Sequence, residues 1–433
     1  MAPPPGPRAA ALTLNVRQAH VPTVLRTLTR DGRLLFVTRT VRLFAYGALA
    51  VVLVLYLTSL GLDAARSGLL LTLTLAGDVA VSLFLSTRAD RWGRRRTLIA
   101  GALLMAAAGV AFLATGNFLL LVVAGTIGVV SPSGNEVGPF LPIEQAALSH
   151  IVPGGERTAV FAWYTLAGAF ATAAGSLAGG VLSQGLQRAA LAPVASYRAV
   201  LLLYAALGSV LAVVFLRVSP AVEPDRAAAP PANAWGLHRS QSVVARLSAL
   251  FALDSFGGGF VVQSFAAYWF HLRFGVQPAT LGGIFFGANL LAGISALLAS
   301  RLAARIGLVR TMVFTHLPSN VLLMLVPLMP NLHLAVLVLF ARFSISQMDV
   351  PTRQSYVMAV VDPAERSAAA GITGVARTTG AAIAPLFAGW MFARPSLVNL
   401  PFLVAGGLKI VYDLLLYRAF VTAPAKRNGE VMK

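Results

Sequence analysis

The chain is written as long apolar runs separated by short polar breaks rich in arginine. A helix needs about 20 apolar residues to cross ~30 Å of hydrocarbon. Twelve runs meet that length: 34–60, 67–87, 97–115, 118–149, 158–184, 199–217, 244–270, 280–300, 311–330, 332–360, 366–392 and 400–420. None shows the two-residue alternation of a barrel strand. Lipid obliges each crossing segment to satisfy its own backbone hydrogen bonds, so the pattern predicts an all-α integral membrane protein of twelve transmembrane helices.

Composition sharpens this reading. Of 433 residues, 57% are hydrophobic and 11% charged, and the mean hydropathy is +0.77. Soluble domains carry about a quarter charged residues. A soluble enzyme, a nucleic-acid binder and a disordered chain are therefore poor fits. The net charge of +19 does not signal nucleic acid, because of where the charge sits. Twenty-three Lys and Arg fall in the segments that alternation places on one side with the N-terminus; five (Arg66, Arg188, Arg198, Arg273 and Arg394) fall on the other. That bias predicts both termini in the cytoplasm of a multi-pass protein of the cell (plasma or inner) membrane. Cysteine is absent, which excludes disulfides and thiolate sites.

The predicted organisation follows. Residues 1–33 form a cytoplasmic N-terminal segment without signal-peptide character, of which 12–30 could lie as a basic helix on the inner leaflet. Residues 34–218 and 244–420 form two six-helix bundles, joined by a Pro/Ala-rich cytoplasmic linker over 219–243 and followed by a tail, 421–433.

The two bundles read as a duplication. At an offset of 214, Ser86, Ala89, Arg91, Gly93, Arg96 and Thr97 recur as Ser300, Ala303, Arg305, Gly307, Arg310 and Thr311. At 209, Pro142, Gln145, Glu156, Arg157 and Gly180 recur as Pro351, Gln354, Glu365, Arg366 and Gly389. At 212, Phe44, Gly47 and Tyr56 recur as Phe256, Gly259 and Tyr268.

With these features the chain resembles the major facilitator superfamily over about 34–420, and most specifically at ADRWGRRR, residues 89–96, between spans 2 and 3. Asp90, Arg91, Gly93, Arg94 and Arg95 fit the family's loop pattern; Ser86 replaces its leading glycine, and Ala304 replaces the acid in the second copy. The resemblance implies two pseudo-symmetric bundles rocking about a central site, with Asp90 and its neighbouring arginines latching the bundles on the cytoplasmic side. Residues 175–180, GSLAGG, partly resemble the span-5 motif of proton-driven exporters, with Ser176 in place of proline. Small residues here also serve close helix packing.

Charges inside spans are the sharpest clues, because each costs about 2.5–3.5 kcal/mol on insertion scales. The acids are Asp78, Glu136, Glu144, Asp254, Asp349 and Asp413; the bases are Arg39, Arg42, Arg342, Arg353, Arg377 and Lys409. The repeat places Arg42 opposite Asp254, and Glu144 opposite Arg353. This suggests two ion pairs bridging the bundles as gates, the alternative being that each charge is satisfied inside its own bundle. Span 4 contains SPSGNEVGPFLPIEQ, residues 131–145, whose three prolines free backbone carbonyls. Broken spans mark ion or substrate sites. Glu136 is thus the first candidate for proton coupling, with Glu144, Asp254 and Asp349 beside it. Span 4 lacks the arginine that many proton antiporters of the family carry there.

Substrate-cavity candidates are Tyr46, Asn135, Gln263, Tyr268, Arg342, Gln347, Arg353 and Arg377, with Tyr56 and Trp269 further guesses. The six histidines show no metal-ligand spacing, His316 falls in span 9, and no nucleotide-binding glycine pattern appears. No cofactor or metal is expected, no enzyme activity, and a monomer. The expected function is alternating-access transport of a small molecule, most simply proton-coupled efflux. Alternatives are an importer, by proton symport or facilitation, and a non-transporting receptor or membrane enzyme.

Overall fold

The computed structural model describes residues 28–153, 156–223, 239–362 and 365–420. Most of the proposed surface helix 12–30, the middle of the linker and the tail 421–433 lie outside the described residues.

The helices fall where the apolar runs predict. Span 1 is Arg30–Ser59, span 2 Ala64–Trp92, span 3 Arg94–Ala114, span 5 Arg157–Arg188 and span 6 Pro193–Leu216. Span 8 is Pro278–Ile306, span 9 Leu308–Leu325, span 11 Arg366–Phe392 and span 12 Leu400–Phe420. Three spans are broken. Span 4 is Phe118–Ile127 and Phe140–Ile151, span 7 is Gln241–Gly259 and Gln263–Phe274, and span 10 is Leu332–Ser346 and Asp349–Val360. Ten of the described helices are long and apolar enough to cross a membrane. The other two spans are span 4, divided by its prolines and glycines, and span 11, diluted by glycine, threonine and Arg377.

Local chemistry sets the ends. Asp63 caps span 2 by accepting the Arg66 amide at 2.7 Å, and Asn331 caps span 10 by accepting Leu334 N at 3.0 Å. Asn117 accepts the Leu119 and Leu120 amides at the start of span 4. Spans 6 and 8 begin on Pro193 and Pro278, where proline forfeits no helical bond. The turns from span 2 to 3 and from span 8 to 9 each consist of one glycine with positive φ, Gly93 at 100° and Gly307 at 87°.

The duplication is structural. An offset of 214 carries the bounds of span 2 onto those of span 8. An offset of 209 carries Phe140–Ile151 onto Asp349–Val360, and Arg157 onto Arg366. Each bundle also has a cleft at repeat-equivalent positions, one lined by Ser86, Ala89 and Pro142, the other by Ser300, Ala303 and Pro351.

Two helix pairs make most of the contact between the bundles, span 5 with span 8 and span 2 with span 11, and span 1 also meets spans 7 and 8. Alternation puts residues 30, 93, 307 and 420 on one side, called the basic face here, and the span 1–2 turn on the far face. Near the far face the joining helices touch through glycine. A Cβ on Gly180 would lie 2.2 Å from Pro278 O, and one on Gly68 would lie 2.4 Å from Pro385 O. Gly282 and Gly389 are the facing residues. Backbone contact this close requires the smallest residues. Among the described residues no hydrogen bond or ion pair joins the bundles at the basic face.

Candidate functional site

The buried charges gather in two clusters, one in each bundle, both toward the basic face. In the first bundle Arg42, on span 1, is wholly buried. Its fork grips Glu144 through two bonds of 2.9 and 2.7 Å, and Glu136 through two of 3.1 Å. Arg39 adds a 2.5 Å bond to Glu136. Thr38 donates to Glu144 at 2.8 Å, and the Tyr164 hydroxyl donates to the same carboxylate. Two guanidiniums thus meet two carboxylates; every nitrogen of Arg42 is used, while Arg39 Nε is buried without a partner. Such geometry is what allows a buried ion pair to recover its desolvation cost.

The break in span 4 is what makes this cluster possible. Without it, Glu136 could not turn back toward span 1. The break is held by side chains from its neighbours: the Tyr46 hydroxyl donates to Val137 O at 3.3 Å, and Asp78 accepts the Gly138 amide at 2.5 Å. Gly134 and Gly138 take positive φ, 71° and 78°. Asp78 has no cation within ion-pair distance among the described residues; it also accepts a hydrogen bond from Ser82 Oγ at 3.2 Å.

In the second bundle Asp254, on span 7, holds Lys409 Nζ at 2.6 Å on one oxygen and Arg353 at 3.0 Å on the other. Asp349 lies 3.4 Å from Arg353. His316, on span 9, stands between two acids, with Nδ1 2.8 Å from Asp413 and Nε2 3.6 Å from Asp254. Asn320 donates to the other Asp413 oxygen at 3.0 Å. Asp254, His316 and Asp349 each bring a ligand atom within 4.8 Å of the others, as a metal site would. Lys409 and Arg353 already occupy the Asp254 oxygens, so cations of the chain fill the place a metal would take.

The expected bridging pairs, Arg42 with Asp254 and Glu144 with Arg353, do not form. Arg42 bonds Glu144, and Asp254 bonds Arg353. The repeat equates Arg42 with Asp254 and Glu144 with Arg353, so the two bonds are the same span 1–span 4 contact in each bundle, with its polarity reversed. A side chain reaches its own bundle's partner across one helix interface; reaching its symmetry mate would require crossing the space between the bundles.

A polar seam does cross between the bundles, deeper toward the far face. Ser264, through its amide (3.1 Å) and hydroxyl (2.6 Å), donates to Pro132 O in the span 4 break. Gln263 Nε2 donates to Ser176 Oγ at 3.1 Å, and Asn289 Nδ2 donates to Gln263 Oε1 at 3.1 Å. Ala279 N donates to Gln184 at 2.9 Å. Ser176 therefore serves the seam, while Gly175 and Gly179 beside it accept the backbone of span 1 at Phe44 and Ala48.

The remaining candidates scatter. Asn135 is exposed beside the break, and its carbonyl accepts Ser131 Oγ at 2.7 Å. Tyr56 donates to Phe112 O at 2.5 Å and is packing. Trp269 donates to Asn399 Oδ1 at 3.0 Å within an aromatic group, and Tyr268 packs edge-on to Phe392. Gln347 ends the first half of span 10. Arg342 and Arg377 are half-buried and make no side-chain hydrogen bond or ion pair among the described residues. In the loop, Asp90 bonds Arg94 of its own bundle at 2.8 Å, and Arg91 is exposed. The inter-bundle latch is not made here. Instead Glu223, just past span 6, accepts the Arg94 and Arg95 amides at 2.7 and 3.1 Å, capping span 3. Arg94 and Arg95 return bonds to Val222 O and Leu216 O.

Sequence reasoning left His316 and Asp413 without roles and passed over Asn289, Asn320 and Ser264. Asn289 and Asn320 carried a usable signal, as amides in the middle of apolar spans. Ser264 and Glu223 carried none, since their partners are backbone groups distant in sequence.

Twelve spans in two related bundles, joined near one face and bearing buried charges at the other, define a membrane transporter fold. The sequence matches the profile of the Major Facilitator Superfamily over residues 35–348 and 274–431. It is 32% identical over 429 residues to an uncharacterized membrane protein of Saccharomyces cerevisiae, covering 92% of this chain and 96% of that one. Among solved structures, a mutant of the nucleoside transporter NupG superposes with a TM-score of 0.73 at 14% identity, covering 90% of this chain and all of that one. A bacterial homologue of the human lysosomal transporter Spinster, inward-facing and occupied, superposes with a TM-score of 0.71 at 15% identity, covering 90% and 96%. The chain belongs to the major facilitator superfamily.

Proposed function

We propose that this protein is a proton-coupled secondary transporter of a small molecule, working by alternating access, with its basic face and both termini in the cytoplasm. The supporting observation is the charge count of the second-bundle cluster. Three buried carboxylates, Asp254, Asp349 and Asp413, have two basic side chains in ion-pair contact with the group, Arg353 and Lys409. Counting only groups in ion-pair contact, one further positive charge balances the cluster, and a proton held by His316, or shared with Asp413 beside it, supplies it. A net buried charge is expensive, so proton occupancy and local structure are tied together. The first-bundle cluster is balanced without a proton. This moves the leading coupling candidate from Glu136 to the His316–Asp413 pair. The 89–96 loop and the span-5 glycines favour efflux; import by symport is the second reading.

The test is transport in proteoliposomes carrying a pH-sensitive dye, with gradients imposed in both directions over a panel of labelled compounds. Coupling predicts gradient-dependent accumulation together with proton flux. Transport that ignores the gradient and moves no protons would reject it.

A further inference from the structure

The six intramembrane bases divide sharply. Arg39, Arg42, Arg353 and Lys409 each touch a carboxylate. Arg342 and Arg377 touch none within 4.0 Å among the described residues; Nε of each is buried without a hydrogen-bond partner, as is that of Arg39, whose Nη1 is held by Glu136. Each lies about 15 Å or more from the end of its span, at 1.5 Å per residue, which is near mid-depth.

Helical phase shows which way they point. On span 10, Arg342 shares a stripe with Ala335, Leu339 and Ser346, all buried, while Leu334 and Leu337 face outward. On span 11, Arg377 lies on the stripe of buried Ala369, Thr373, Ala384 and Ala388, away from exposed Leu386 and Trp390. Both side chains thus enter the protein rather than the lipid, and yet both keep some exposure. A Cβ built on Gly374, one turn from Arg377, would meet nothing within 4 Å, so open space adjoins that side chain. Arg353 lies within electrostatic range of Arg377, and Asp254 and Asp349 within range of both arginines, so both stand near the charged cluster of the second bundle.

We propose that Arg342 and Arg377 receive an oxyanion, a carboxylate or phosphate carried by a soluble small molecule, and that this is the anchoring group of the transported substrate. An arginine at mid-depth is stable when it is paired, wet or bound to a ligand. Guanidinium matches carboxylate and phosphate with two parallel bonds, and the low dielectric strengthens them. The sequence alone, with six acids to six bases, favours no charge sign; the contacts single out Arg342 and Arg377 as the two bases that touch no carboxylate. The inference rests on the transport reading but not on its direction. It has one consequence for coupling: a proton at His316 and an anion at these arginines attract, and their joint loading would favour the second reading, import by symport, over efflux.

The experiment measures thermal unfolding of the purified full chain in uncharged detergent. The probes are inorganic phosphate, succinate, citrate and adenosine monophosphate; tetramethylammonium and spermidine serve as cationic controls, and a short-chain phosphatidic acid as the lipid arm. The proposal expects saturable stabilisation by at least one soluble oxyanion and none by the cations. Losing a charge-assisted bond predicts apparent affinity weaker by about tenfold or more in Arg342→Gln and in Arg377→Gln. Arg394→Gln, at the exposed far face, leaves it unchanged, and Arg→Lys at either site keeps part of it. Stabilisation by the lipid alone, by cations, by no oxyanion, or equally in both Gln variants would overturn the proposal. Should an oxyanion bind through these arginines yet never cross proteoliposomes, the transport reading falls and the anion site stands. Should a solute be transported equally well without them, the anion site falls alone.

Discussion

The two charged clusters occupy equivalent places in a duplicated fold, and they differ in completeness. In the first bundle Arg42 spends its whole fork on two carboxylates, and the sum of charges is zero. In the second, Asp254 stands where Arg42 stood and Arg353 where Glu144 stood, and the groups in ion-pair contact sum to zero once one proton joins the His316–Asp413 pair. Duplication kept the contact between the first and fourth spans of each bundle. Reversing its polarity kept the bond while changing what surrounds it: cations and a histidine collect around a central acid, where before acids collected around a central base. One bundle therefore carries a brace balanced by its own charges, and the other, on the reading proposed above, a brace that a proton completes.

Charge swaps put this comparison under the heaviest strain. Removing one partner of a buried pair costs about 3–5 kcal/mol. Arg42→Ala should lower thermal stability by that order, and Arg42→Met with Glu144→Met should recover part of it. Swapping within a bundle, Asp254→Arg with Arg353→Asp, should restore more folded protein than either single reversal. Swapping across bundles, Arg42→Asp with Asp254→Arg, should restore nothing. Rescue by the cross-bundle swap would revive the bridging gates.

A smaller effect separates the clusters by pH. The chain contains no cysteine, so Arg96→Cys with Arg310→Cys provides a clean spin-label pair on the basic face. Acid favours the protonated, balanced cluster and hence the arrangement described here. The label separation should shift with pH in this background, lose that dependence in His316→Gln, and keep it in Glu136→Gln. The opposite pattern would return the coupling role to Glu136.

The mildest change concerns the brace between the loop and the segment after span 6. Glu223→Gln keeps the shape but loses the charge that caps span 3, which predicts about 1 kcal/mol less stability. Asp90→Asn, at an exposed carboxylate, should change stability less. Equal losses would mean that the loop pair matters more than the cap.

The hydrophobic pattern determined the number of spans and their ends to within a few residues, because lipid leaves a crossing chain almost no choice but helix. The repeat was legible for a related reason: turns such as Gly93 and Gly307 demand residues that few others can replace. The break in span 4 was also visible, since its prolines cannot continue a helix. Which charges touch was not visible. Arg42 is 94 residues from Glu136 and 102 from Glu144, and Asp254 is 155 from Lys409. Pairing over such separations depends on helix rotation and depth, and apolar spans encode these only weakly, because almost every face of them is hydrophobic. The sequence supplied six acids and six bases; tertiary packing alone decided that four of the bases are matched and that Arg342 and Arg377 are left facing inward.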